Sequence, residues 1–127
     1  MREILFRGKD IAENWHYGVP LVFTEDYVCI TAPHTYNKKV EINTVGQFTG
    51  LIDKNGAKVF EGDILKGSWE TVLTIFYDEI SSSYRVKTST GHEREPSYYG
   101  IEKWEIIGNI HDNPELLRTP QNDEVRE

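Results

Sequence analysis

The stretch from Gln47 to Leu65, QFTGLIDKNGAKVFEGDIL, decides the fold class. Asp53-Lys54-Asn55-Gly56 stands between Leu51-Ile52 and Val59-Phe60. Asn-Gly between apolar runs is a strong short-range hairpin signal, because both residues tolerate a positive φ. Glu61-Gly62-Asp63 then breaks the chain again before Ile64-Leu65. Two turns within one short apolar stretch describe a β-rich unit. They are architectural signals and none of them is a reagent.

Strand-like runs continue on both sides. Arg2 to Arg7, Trp15 to Gly18, Leu21 to Phe23, Tyr27 to Thr31 and Val40 to Ile42 precede the hairpin, with Pro20 separating the second run from the third. Thr71 to Tyr77, TVLTIFY, is the strongest. Leu73, Ile75 and Tyr77 share one face and Val72 and Phe76 the other, so a central strand is expected. In Tyr84 to Thr88 the alternation puts Tyr84 and Val86 inward. Trp104 to Ile110 carries Gly108 on its apolar face, which marks a bulge or a close backbone approach. Asp112-Asn113-Pro114-Glu115-Leu116-Leu117 offers a cap, a proline at the first helical position and an acid in the first turn, so a short docked C-terminal helix is expected. Ser97 to Lys103 has room for one further turn.

Many short strands with glycine turns predict a mainly β fold. The expected form is a small SH3-like barrel over residues 46–117, with an N-terminal β lobe over residues 1–45 and a flexible tail over residues 118–127.

The 127 residues carry a formal charge of −7, and no Lys/Arg block is present. Phosphate backbones need the opposite sign, so nucleic-acid binding is not favoured. Cys29 is the only cysteine, which excludes an intrachain disulfide and suits a reducing compartment. Met1-Arg2-Glu3-Ile4 has no apolar signal-peptide core, and no apolar run approaches the roughly 20 residues of a membrane span. A cytoplasmic protein with no membrane partner is expected.

Candidate chemistry is sparse. Glu61 and Asp63 would share a face if extended, as divalent-cation ligands do. The better reading is that Gly62 turns the chain and Asp63 caps backbone amides. His16, His34, His92 and His111 show no zinc-site spacing. His111 beside Asp112 reads as surface decoration. Cys29, among Tyr27, Val28 and Ile30, reads as a buried structural thiol rather than a nucleophile. Ser81 to Ser83 lacks a G-x-S-x-G context, and the glycines at 46, 50, 56 and 62 form no phosphate loop. The remaining constellation is aromatic: Trp69, Tyr98 and Tyr99, with Trp104. Exposed rings stack bases or anchor a protein partner; the plainer alternative is core filling. Trp69, Tyr98 and Tyr99 form the candidate binding surface. Asp53, Asn55, Gly56, Gly62 and Asp63 form the structural motif. No cofactor, metal site or catalytic residue is expected.

The same block, followed by Trp104-Glu105-Ile106-Ile107-Gly108-Asn109-Ile110 and Asn113-Pro114-Glu115-Leu116-Leu117, resembles the YopX family; Arg2-Glu3-Ile4-Leu5-Phe6-Arg7-Gly8 resembles its usual start. Phe48 and Phe60 stand where tyrosine is common, which keeps the ring and loses the hydroxyl. The resemblance implies a β-rich fold, a bacteriophage or prophage origin, a place in the bacterial host's cytoplasm, and no catalytic residue to carry over. The expectation is a non-enzymatic binding or assembly protein, with a phage or host protein as partner; the alternative is a nucleic-acid-associated accessory protein. Arg2 to Phe6 and Leu21 to Phe23 are expected as outer strands, and burying such edges predicts a homo-oligomer.

Overall fold

A computed structural model describes residues 3–33, 37–68 and 71–117. In chain order the strands are β1 (Phe6–Lys9), β2 (Trp15–Phe23), β3 (Tyr27–Thr31), β4 (Lys38–Glu41), β5 (Gly46–Ile52), β6 (Lys58–Phe60), β7 (Asp63–Lys66), β8 (Val72–Asp78), β9 (Ser83–Thr88), β10 (Glu93–Arg94) and β11 (Glu105–Asn109). The helical segments described are short 3-10 turns at Ile42–Thr44, Pro96–Tyr98, Ile101–Lys103 and Pro114–Leu117. No helix among the described residues is long and apolar enough to cross a membrane. The chain divides into two compact units, Met1–Gly50 and Leu51–Glu127.

The first unit pairs its strands antiparallel, β4 to β3 to β2 to β1, and β1 in turn to the start of β5. Alternation explains its small core. Val28 and Ile30 on β3 face Val40 of β4 and are buried, with Val45 packed against them. Their neighbours Tyr27, Cys29 and Thr31 take the other face and are half-buried. The Cys29 thiol is therefore not the fully buried group expected, because the two β-branched neighbours occupy the inside. Trp15 to Gly18 and Leu21 to Phe23 are one strand rather than two. Pro20 is tolerated because the pairing of β1 with β2 ends at Phe6 and Gly18, and because the register against β3 shifts between Pro20 and Val22.

In the second unit β8 lies between β7 and β9 in a five-stranded antiparallel sheet ordered β10-β9-β8-β7-β11. Leu65, Leu73, Ile75 and Val86 share its inner face by register. They bury completely with Val59, Ile101 and Trp104, while Leu51, Tyr99 and Ile106 pack against the cluster.

Both sheets are open. The strand orders β4-β3-β2-β1-β5-β6 and β10-β9-β8-β7-β11 each have two ends, so the strands do not close into the expected SH3-like barrel. The reason is that β6 neighbours β5 instead of joining the five-stranded sheet, and β10 is only two residues long. The C-terminal helix is also absent as such. Pro114–Leu117 is a four-residue 3-10 turn with no buried side chain, since a single turn gains too few bonds to propagate.

Of the expected outer segments, Leu21 to Phe23 is no edge, because it lies in β2, inside the six-stranded order. Strand β1 begins only at Phe6 and also lies inside that order; Glu3 to Leu5 precede it outside any strand, and Arg2 lies outside the described residues. The edge strands β4, β6, β10 and β11 are guarded in the usual ways. Lys38, Lys39 and Glu41 charge β4. Strands β6 and β10 are short, at three and two residues. β11 is interrupted by a bulge between Ile106 and Gly108.

Candidate functional site

The 53–56 turn is built around one carboxylate. Asp53 Oδ1 accepts the backbone N–H groups of Asn55 and Ala57 at 2.9 and 2.8 Å, and Oδ2 accepts that of Ile106 at 3.1 Å. Burial pushes the Asp53 carboxyl up, but the donors of Ile106, Ala57 and Asn55 outweigh it and hold the group below the usual carboxylate range. The Gly56 N–H donates to Asp53 O at 3.0 Å, and Gly56 has φ of +83°. Gly56 carries the positive φ of the Asn-Gly pair and Asn55 does not. Its side-chain amide donates to Glu105 Oε2 at 3.3 Å instead. The turn is thus a three-residue loop closed by a left-handed glycine.

The second carboxylate is local in its work. Asp63 Oδ2 accepts the Phe60 N–H at 2.7 Å and is buried, while Gly62 turns the chain with φ of +94°. Glu61 and Asp63 are not joined by a third ligand. Among the described residues no group of three or more His, Cys, Asp or Glu is placed to hold a metal ion.

The bulge at Gly108 serves a close approach. A Cβ there would clash with Asn113 Oδ1. That oxygen accepts the Asn109 N–H at 3.2 Å, and Asn109 Oδ1 accepts the N–H groups of His111 and Asp112. The Asn109 amide also donates to Asp112 Oδ2 at 3.1 Å. Asn109 therefore ties the turn at His111 and Asp112 that leads into the C-terminal segment, and the Leu116 N–H donates to Asn113 O at 3.0 Å within the turn that follows.

The cleft worth most attention lies in the second unit. It has a volume of about 530 Å3, and its lining includes Thr88, Thr90, His92, Tyr98, Tyr99 and Trp104. Tyr98 and Tyr99 come from the 3-10 turn begun by Pro96, and their rings meet edge-on at 5.0 Å. Tyr99 meets Trp104 edge-on at 5.8 Å, and the Trp104 indole N–H donates to Tyr99 O at 3.1 Å. Trp104 belongs to the core cluster and half-buried Tyr99 packs against it, whereas Tyr98 is 61% exposed. The Arg94 guanidinium sits over the Tyr98 ring at 4.9 Å. The lining also holds a polar row at the β9–β10 turn. Thr88 Oγ1 and Thr90 Oγ1 are 3.0 Å apart, and Thr90 Oγ1 lies 3.2 Å from His92 Nδ1. The His92 N–H donates to Thr88 Oγ1 at 3.0 Å. Trp69, the third member of the expected surface, lies outside the described residues, as do His34 and the 118–127 tail.

Three features escape the sequence reading. The Thr88–Thr90–His92 row exists only once the turn closes, though its T-x-T-x-H spacing is visible. Asn109 is seen in the sequence only as part of a strand. In the first unit, His16 Nε2 lies 2.7 Å from Asp10 Oδ2, and Asp10 Oδ1 accepts the N–H groups of Ala12 and Asn14. The His16 hydrogen bond, then that of Asn14, brings the Asp10 carboxyl down to about 2. An aspartate opening a tight turn is the available signal.

A family model described as YopX protein matches residues 6–118. The crystal structure of protein EF1440 from Enterococcus faecalis aligns with a TM-score of 0.58 at 23% identity, covering 93% of this chain and 100% of that one. At that identity the likeness is one of fold. No curated protein matches the chain. With the family model spanning all eleven described strands, the chain belongs to the YopX family.

Proposed function

We propose that this protein is a non-enzymatic binding module that recognises its partner through the Tyr98–Trp104 cleft. The observation that carries this reading is the pairing of an exposed ring, Tyr98, with a buttress of core rings behind it. An aromatic held in place loses little freedom on binding, which is why such rings dominate recognition sites. A phage or prophage origin and a phage or host protein as partner complete the reading, and both follow from the family resemblance. Self-assembly belongs to it as well. Tyr17 and Val19 on β2 and the bulge residue Leu21 leave large apolar side chains exposed in the first unit. Burial of such a strip between copies is a common use.

A nucleic-acid-associated role is the second reading, favoured by Arg94 over Tyr98 and by Lys103 in the cleft lining. Charge balance weighs against it. Lys87 stands opposite Glu93, and Lys66 opposite Glu105.

Affinity capture by the full chain from phage-infected or prophage-induced cells, with nuclease treatment, tests the proposal. Partner capture that survives nuclease and is lost with Tyr98→Ala is the expected outcome. Loss on nuclease treatment favours the second reading, and capture unaffected by Tyr98→Ala removes the cleft from the account. Sedimentation addresses assembly: a species larger than the monomer, weakened by Leu21→Lys, is expected, and a clean monomer contradicts it.

A further inference from the structure

We infer that the cleft in the second unit takes a saccharide ring, an inference that rests on the cleft being the recognition element. The argument begins with the chemistry of the lining. Its polar side chains include the hydroxyls of Ser68, Thr71, Thr88 and Thr90 and the imidazole of His92. Each of these groups both donates and accepts hydrogen bonds. Lys103 is the one fixed charge among the described lining residues. A surface of this kind complements a ligand that itself donates and accepts at several points and carries no large charge.

The aromatic part of the lining narrows the class further. Tyr98 is 61% exposed, with the Arg94 guanidinium over its ring at 4.9 Å and Tyr99 edge-on at 5.0 Å, and Tyr99 is tied to Trp104 by a ring contact and by the indole hydrogen bond at 3.1 Å. An aromatic ring buries the apolar C–H face of a flat ring ligand while hydroxyls address its rim. Sugars combine such a face with such a rim. The cleft's volume of about 530 Å3 falls within the ~300–1,000 Å3 usual for small-molecule sites. A phosphorylated ligand fits less well, because phosphate recognition draws on several convergent cations or N–H donors.

The polar row is also ordered before any ligand arrives. Thr88, Thr90 and His92 are linked hydroxyl to hydroxyl to imidazole at 3.0 and 3.2 Å. A ligand hydroxyl inserted at Thr90 joins an existing chain, and hydrogen bonds in a chain reinforce one another.

The test is a backbone-amide NMR titration of the full chain with three neutral probes: cellotetraose, maltotetraose and chitotetraose. Oligodeoxythymidylate serves as the anionic comparison. Cosedimentation with cellulose, starch and chitin then separates free sugars from sugars displayed on a polymer. At least one tetrasaccharide is expected to shift Thr90, His92 and Tyr98 saturably. Tyr98→Ala, a change at an exposed position, and Thr90→Val, which keeps the side-chain volume, should each weaken that binding at least tenfold while the remaining spectrum stays folded. Absence of saturation by all three sugars up to about 10 mM overturns the inference, as does binding that both variants leave unchanged. If oligodeoxythymidylate alone binds the cleft, or if partner capture still depends on Tyr98 when no sugar binds, the saccharide assignment falls and the binding reading stands. If capture is also indifferent to Tyr98→Ala, both fall.

Discussion

The two units solve the same problem with different means. The first buries three aliphatic side chains, Val28, Ile30 and Val40, as its core cluster. The second buries six aliphatic side chains and Trp104, with Ile101 and Trp104 coming from outside its sheet strands. The first unit's turns are tied by less buried groups: half-buried Asp10 at one loop, and exposed Thr24, whose Oγ1 accepts from Asp26 and Tyr27, at another. The second unit's ties, Asp53, Asp63 and Asn109, are buried. Hydrogen bonds to a buried carboxylate contribute more than exposed ones, and their loss leaves donors stranded from water. The difference teaches where a rigid site can be built. The cleft stands on Trp104, which belongs to the larger core, and on Tyr99, which packs against it.

The sharpest way to break this comparison is to cut the same side chain from each core. Ile75 and Ile30 are both buried to about the same degree. Replacing either with alanine should cost about 2–5 kcal/mol, because a cavity adds to the lost transfer energy. Ile75→Ala should fall near the top of that range and Ile30→Ala near the bottom, since the smaller cluster collapses more readily. Denaturant titration measures both, and the reverse order would contradict the account. Next comes Asp53→Ala, which strands the N–H groups of Asn55, Ala57 and Ile106 and should cost about 2–3 kcal/mol. Gly56→Val should cost more than ~1 kcal/mol, all of it from the backbone, because φ is +83° and nothing lies within 4 Å of an added Cβ.

The smallest effect is the dependence on acid. Asp53 and Asp10 both have lowered pKa values, so each contributes stability above the ordinary carboxylate range and loses it as pH falls through the folded value. For Asp10 that loss extends down toward about 2. His16→Ala should bring the Asp10 carboxyl back toward its usual range and leave Asp53 unmoved, as a carboxyl-carbon NMR titration would read. An Asp10 titration indifferent to His16→Ala would show that the first unit's tie is not the one described.

Legibility followed the range of the interactions. The hairpin was readable at Asp53 to Gly56 because Asn-Gly acts locally. The clasp from Asp53 to Ile106 was not, since its partner is supplied from the far end of the unit by β11. Alternation in TVLTIFY was enough to place β8 at the centre of a sheet. Strand count was not enough to settle closure: no local pattern tells β6 to join β5 rather than β7. Pro20 hid the continuity of β2, because a register shift and the end of β1 relieve it of the bond it cannot make. At the site, Tyr98 and Tyr99 stood out as adjacent rings, while Thr88, Thr90 and His92 looked like an ordinary polar turn. Their alignment depends on Thr88 sitting at the end of β9 beside Leu73.

Native-state hydrogen exchange on the full chain tests most directly the claim that the cleft stands on the more stable framework. The amides of Leu73, Ile75 and Val86 should exchange only through global unfolding, while those of Val28, Ile30 and Val40 should open at a lower free energy. Equal protection in both groups, or greater protection in the first unit, would contradict the account.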